Sequence, residues 1–129
     1  MDRLRVAPTV GIVASVALVV ALSIPYLLGV DGTGGYYGSG GVNPLLAGLF
    51  ALVTIIVFAA GREERSDPQL AAGVALALGV FAVIVTLSWA LTARVDAVQL
   101  TSAHRWVVVG AAGSVPLSAG WYARTLGVL

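Results

Sequence analysis

The seven arginines, six carboxylates and single histidine of this 129-residue chain are confined to its tails and connections. Four runs, residues 6–28, 44–60, 70–93 and 106–123, cover about two-thirds of the sequence and contain none of them. A helix that crosses the hydrocarbon core of a bilayer needs about 20 predominantly apolar residues, within a range of about 17–25. Each run meets that length. Composition points the same way: the chain is 59% hydrophobic and 10% charged, with a mean hydropathy of +0.99, where an ordinary soluble domain is about 25% charged. Too few charges are present to cover a water-facing surface, so a soluble globular domain is excluded.

The expected fold is all-α: an integral membrane four-helix bundle with up-down topology and both termini cytoplasmic, forming one transmembrane domain over residues 1–129. Helix punctuation supports these bounds. Asn43 before Pro44 and Asp67 before Pro68 each place an N-capping side chain ahead of a proline at the first helical position. Gly29 and Gly61 follow the first two runs, where a left-handed C-terminal glycine is expected. Orientation comes from the arginines. With the N-terminus inside, Arg3, Arg5, Arg62, Arg65 and Arg124 are cytoplasmic and only Arg94 and Arg105 lie outside, as the positive-inside rule prefers. Tyr26, Trp89 and Trp106 then sit at outer helix ends, and Trp121 and Tyr122 at an inner one. The basic start and Ala21-Leu22-Ser23 resemble a cleavable leader, but a signal core spans about 7–15 residues and this run is longer.

In lipid, helices associate through close contact of small residues and occasional interhelical hydrogen bonds. Spacing of four supplies such rows: Gly11 and Ser15 on the first helix, Ala75 and Gly79 on the third, Gly110, Ser114 and Ser118 on the fourth. Ala112, Pro116 and Gly120 form a second row on the fourth helix, which is therefore expected to pack on two sides. Pro25 and Pro116 fall inside helices, where each removes a backbone hydrogen bond and favours a kink. Ser114 and Ser118 are near enough to Pro116 to satisfy the freed carbonyl. A transporter-like hinge is the functional alternative to a plain packing kink.

The connections hold what chemistry remains. Residues 31–43 read DGTGGYYGSGGVN, with neither P-loop spacing nor a lysine; Tyr36 and Tyr37 are expected to rest at the headgroups or cover the outer helix ends. Residues 61–69 carry a net charge of −1 and form a tight inner turn rather than an anchor for anionic lipid. Residues 94–105 bring Asp96, His104 and Arg105 into the outer loops, where Asp31 could join them. Such a cluster could hold a metal or move a proton, but it has no spacing signature. A Ser102–His104–Asp96 triad is disfavoured by its two-residue spacing on one loop, and His104 is equally readable as a residue beside the start of the fourth helix. There is no cysteine, so thiolate metal sites and cysteine nucleophiles are absent. The arginines are too dispersed for a nucleic-acid surface. No cofactor is indicated.

The strings YYGSGGVNPL, FAAGREERSDP, HRWV and WYAR resemble an uncharacterised family of small haloarchaeal multi-pass membrane proteins, a domain of unknown function. The resemblance covers nearly the whole chain and implies no activity. Basic residues that are all arginine fit a GC-rich halophile. The leading functional expectation is a structural or interaction subunit whose partners are the bilayer and either a second copy or another membrane protein. The alternatives are a small transporter or channel component lined by Thr86, Ser88, Thr92, Ser114 and Ser118, and an enzyme with an outer-face site at Asp31, Asp96, His104 and Arg105.

Overall fold

The computed structural model of the chain describes residues 3–27, 37, 43–92 and 103–127. These residues contain four helices and no strand: α1 (Arg3–Leu27), α2 (Leu45–Arg62), α3 (Pro68–Thr92) and α4 (Ala103–Thr125). The two polar starts work through their side chains. Asn43 Oδ1 accepts from the N–H of Leu45 at 3.0 Å, and Asp67 Oδ1 accepts from that of Gln69, also at 3.0 Å. Each satisfies one of the donors that a helix N-terminus leaves without an intrahelical partner.

The end of α2 differs from the sequence expectation. Gly61 lies within the last turn, and Glu64 adopts the left-handed conformation with φ 56°. The N–H of Arg65 reaches back to Ala60 O at 2.9 Å and that of Glu64 to Gly61 O at 3.2 Å, which closes the helix as a glycine-free version of the usual left-handed stop. Gly61 is needed elsewhere. A Cβ on it would lie 2.8 Å from Ala71 Cβ and 2.9 Å from Tyr122 Oη, so the position marks a close approach of α2 to α3 and α4.

Each helix packs on two neighbours, α1 on α2 and α4, and α3 on α2 and α4. At one end, Arg5 near the start of α1 pairs with Glu63 just after α2, and Tyr122 near the end of α4 approaches Gly61. At the other end, His104 at the start of α4 bonds Ala21 of α1, and Arg105 bonds Ala90 of α3. The helices therefore alternate in direction around the bundle. We call the two ends the arginine end and the histidine end.

The interior is built mostly from small side chains. Among the described residues, more than half of the buried apolar ones are alanines, including Ala7, Ala47, Ala72, Ala75, Ala112 and Ala119. Large aliphatic side chains point outward on every helix, including Val13 (63% exposed), Ile56 (67%), Ile84 (54%) and Leu117 (76%). Among the described residues, three helices contain stretches long and apolar enough to cross a membrane: Arg5–Ile24, Leu45–Arg62 and Pro68–Leu91. The sequence predicts four. With 23 residues α4 is long enough, but Gly110, Gly113, Ser114, Pro116, Ser118 and Gly120 dilute its apolar character.

Close helix contact occurs where a glycine faces bulk. A Cβ at Gly11 would run into the Phe58 ring, and one at Gly79 would lie 2.8 Å from Pro116 N. Ser15 and Ala75 are buried beside them. The row on α4 divides: Ser118 is buried and Ser114 half-buried, but Gly110 is exposed and a Cβ there meets nothing within 4 Å. In the second row Ala112 is fully buried, whereas a Cβ at Gly120 meets nothing. A helix turns 100° per residue, so residues four apart drift by about 40° per step. A row of three or more therefore leaves the contact before it ends.

Candidate functional site

The histidine end brings together groups that lie far apart in sequence. Pro25 has no N–H to give to the carbonyl four residues earlier, so Ala21 O lacks its intrahelical donor. His104 Nε2 lies 2.8 Å from that oxygen. A carbonyl can only accept, so Nε2 carries the proton and α4 supplies the hydrogen bond that α1 lacks. The hydroxyl of Tyr37 donates to the adjacent carbonyl, that of Leu22. Tyr37 is 1% exposed, and its ring stands edge-on to Trp89 at 5.4 Å, with Tyr26 at 5.9 Å and His104 at 6.5 Å. It covers this end of the bundle, one of the two roles expected for the tyrosines of the glycine-rich connection.

Arg105 caps a different helix. Its Nη1 donates to Ala90 O at 2.8 Å, one of the last carbonyls of α3, where a cation also meets the negative end of the helix dipole. The guanidinium lies 5.3 Å from the centre of the Trp106 ring, within cation–π range. Of the four residues expected to cluster on this face, His104 and Arg105 are thus held by backbone carbonyls of two different helices. Asp31 and Asp96 lie outside the described residues. Among the described residues no three His, Asp or Glu side chains converge as a metal site.

Three of the five hydroxyls expected to line a path through the bundle are bonded to their own helices. Thr86 Oγ1 donates to Ala82 O at 2.9 Å, Ser114 Oγ to Ala111 O at 2.6 Å and Ser118 Oγ to Ser114 O at 2.7 Å. Ser15 and Thr54 likewise bond the carbonyls of Gly11 and Phe50. Pro116 frees Ala112 O, which is the acceptor of neither serine, so the expected relief by Ser114 and Ser118 is not what these side chains do. Ser88 is half-buried and the Thr92 side chain lies outside the description.

The arginine end carries an ionic cluster where the sequence predicts only a tight inner turn. Arg5 Nη2 pairs with Glu63 Oε1 at 3.1 Å, and Arg62 Nη1 pairs with the same oxygen. Arg62 Nε also donates to Thr9 Oγ1 at 2.8 Å, and that hydroxyl donates to Arg5 O at 2.6 Å. The two guanidiniums hold the Glu63 carboxyl below its ordinary value of 4.5, the Arg5 hydrogen bond first and that of Arg62 second. Beside them opens a cleft of about 330 Å³ lined by Arg5, Gly61, Arg62, Glu63, Glu64 and Tyr122, among others. A shallower apolar groove of about 320 Å³ lies between α1 and α2, around Leu22, Gly48 and Leu49.

What this arrangement does chemically is to tie helices together: α1 to α4 and the 37 segment at one end, α1 to α2 at the other. No curated protein and no solved structure matches the chain. Residues 1–127 match the Family of unknown function (DUF7548), and with nearly the entire length covered, the chain belongs to that family.

Proposed function

We propose that the chain is a multi-pass integral membrane protein of the cell membrane whose four helices form a structural or interaction subunit rather than a catalyst. One observation carries this reading: burial is inverted relative to a water-soluble bundle. Alanines fill the interior while valines, leucines and isoleucines cover the outside of every helix. A soluble protein seldom exposes contiguous apolar patches beyond a few hundred Å², whereas in lipid small residues belong inside, where they let backbones approach, and large aliphatic ones face the acyl chains. The α4 helix crosses with the others because it packs along both α1 and α3. Its partners are the surrounding lipid and either a second copy or another membrane protein.

The arginine end is cytoplasmic on this reading, with both termini there. Five of the seven arginines lie on that side of the chain, in keeping with the positive-inside rule. Basic residues that are arginine throughout support a haloarchaeal source.

The test uses the natural absence of cysteine. In intact cells, Ser39→Cys is expected to react with a membrane-impermeant maleimide from outside, and Ser66→Cys only after permeabilisation. The protein should also stay with the membrane pellet in alkaline carbonate. Release by carbonate, or the opposite labelling pattern, refutes the proposal.

A further inference from the structure

We propose that the cleft at the arginine end is a binding site for a phosphate group, presented as the head group of an anionic phospholipid or as the free anion. Three observations converge on it. The cleft is bordered by two arginines, Arg5 and Arg62, whose planar guanidinium forks suit phosphate oxygens. Its volume of about 330 Å³ falls at the lower end of small-ligand sites, about 300–1,000 Å³. Tyr122 is 1% exposed, yet its hydroxyl has no hydrogen-bond partner among the described residues and borders the cleft beside Gly61. Gly61 keeps the hydroxyl open to the cleft, in room that any side chain would fill.

Glu63 now occupies the guanidiniums. Its side chain is 45% exposed and lies just past the end of α2, so it can turn to water when a stronger anion arrives. With Glu64 at the rim as well, the cleft has no excess of positive charge, and recognition rests on hydrogen bonds from the three donor-bearing side chains that line it, Arg5, Arg62 and Tyr122. A phosphate oxygen bonded by Arg5, Arg62 and Tyr122 would replace the carboxylate and take a hydrogen bond from the phenol. The lipid source rests on the membrane reading above, which sets the cleft at head-group depth; the free anion does not depend on it.

The test uses the full-length protein in mild detergent. Native mass spectrometry compares retention of phosphatidylglycerol with that of diacylglycerol, which lacks the phosphate, and a thermal melt titrates inorganic phosphate against chloride at fixed ionic strength. The wild type should retain phosphatidylglycerol over diacylglycerol, or melt higher in phosphate; the first result assigns the lipid, the second the free anion. Arg5→Gln should weaken whichever binding is seen by about tenfold or more, and Tyr122→Phe by roughly three- to tenfold. Glu63→Gln should strengthen it. Tyr122→Phe keeps the buried ring, so an unchanged circular dichroism melt without ligand separates lost binding from lost folding. Equal retention of both lipids with no phosphate effect, or binding indifferent to Arg5→Gln and Tyr122→Phe, overturns the proposal. If that occurs while Ser39→Cys and Ser66→Cys label as expected, the phosphate site fails and the membrane reading stands.

Discussion

Gly79→Ala isolates the contact that brings α3 and α4 together. The added Cβ would lie 2.8 Å from Pro116 N, 3.0 Å from its Cδ and 3.1 Å from its Cα, where ordinary contact begins near 3.4 Å. These neighbours are backbone and ring atoms, so no side-chain rotation relieves them, and the helices must separate by about 0.6 Å. Overpacking of this kind costs about 1–3 kcal/mol. Alanine also gains about 1 kcal/mol over glycine in helix propensity, which would mask part of the effect. Gly110→Ala provides the reference, because it makes the same change on α4 where nothing lies within 4 Å. Equilibrium unfolding in mixed SDS and neutral-detergent micelles should therefore rank Gly110→Ala at or above the wild type and place Gly79→Ala about 1–3 kcal/mol below Gly110→Ala. If the two variants are equally stable, the close approach of α3 to Pro116 is wrong.

Two further outcomes follow from the bundle ends. His104→Phe leaves Ala21 O without a donor and should cost about 1–3 kcal/mol. Because Pro25 created that vacancy, His104→Phe should cost less in a Pro25→Ala background, where α1 regains its own N–H; additive effects in a double-mutant cycle would show that the two are unconnected. At the other end, the Glu63 carboxyl titrates lower in the folded protein than its ordinary 4.5. The stability it contributes is thus present above that value and is lost as pH falls through the folded value. The wild-type advantage over Glu63→Gln, measured by thermal melts from pH 7 downward, should shrink to nothing on acidification and diminish in high salt; an advantage that grows at low pH would reverse the sign of the argued coupling.

The four-helix architecture was legible because ionisable residues are absent from four runs, a signal that depends on composition alone. Helix starts at Asn43 and Asp67 were legible for a similar reason, since capping is local chemistry. Gly61 departs from its expected role because a glycine near a helix end has two uses, a left-handed stop or a close approach, and only the positions of Ala71 and Tyr122 decide between them. Spacing likewise reveals small-residue rows but not their partners: Gly79 meets Pro116, whereas Gly110 meets nothing. At the histidine end one clue was available. A proline inside a helix frees a particular carbonyl, here Ala21 O, and a donor must come from somewhere. Serine and threonine are the usual candidates, and nothing in the order of residues singles out His104, 83 positions away. The Arg5–Glu63 pair and the cleft beside it were hidden in the same way, because they exist only once α1 and α2 lie antiparallel.

The account stands most directly on the outward faces being in contact with lipid, and α4 is where composition alone is least persuasive. Spin labels placed one at a time at Val13, Ile56, Ile84 and Leu117 in the reconstituted, naturally cysteine-free protein measure this by power saturation with oxygen, which concentrates in lipid, and with a water-soluble nickel chelate. All four positions, Leu117 included, should be accessible to oxygen and shielded from the chelate. Chelate access at these mid-helix positions would place the apolar surface in water or at a hydrated interface and contradict the membrane-embedded bundle.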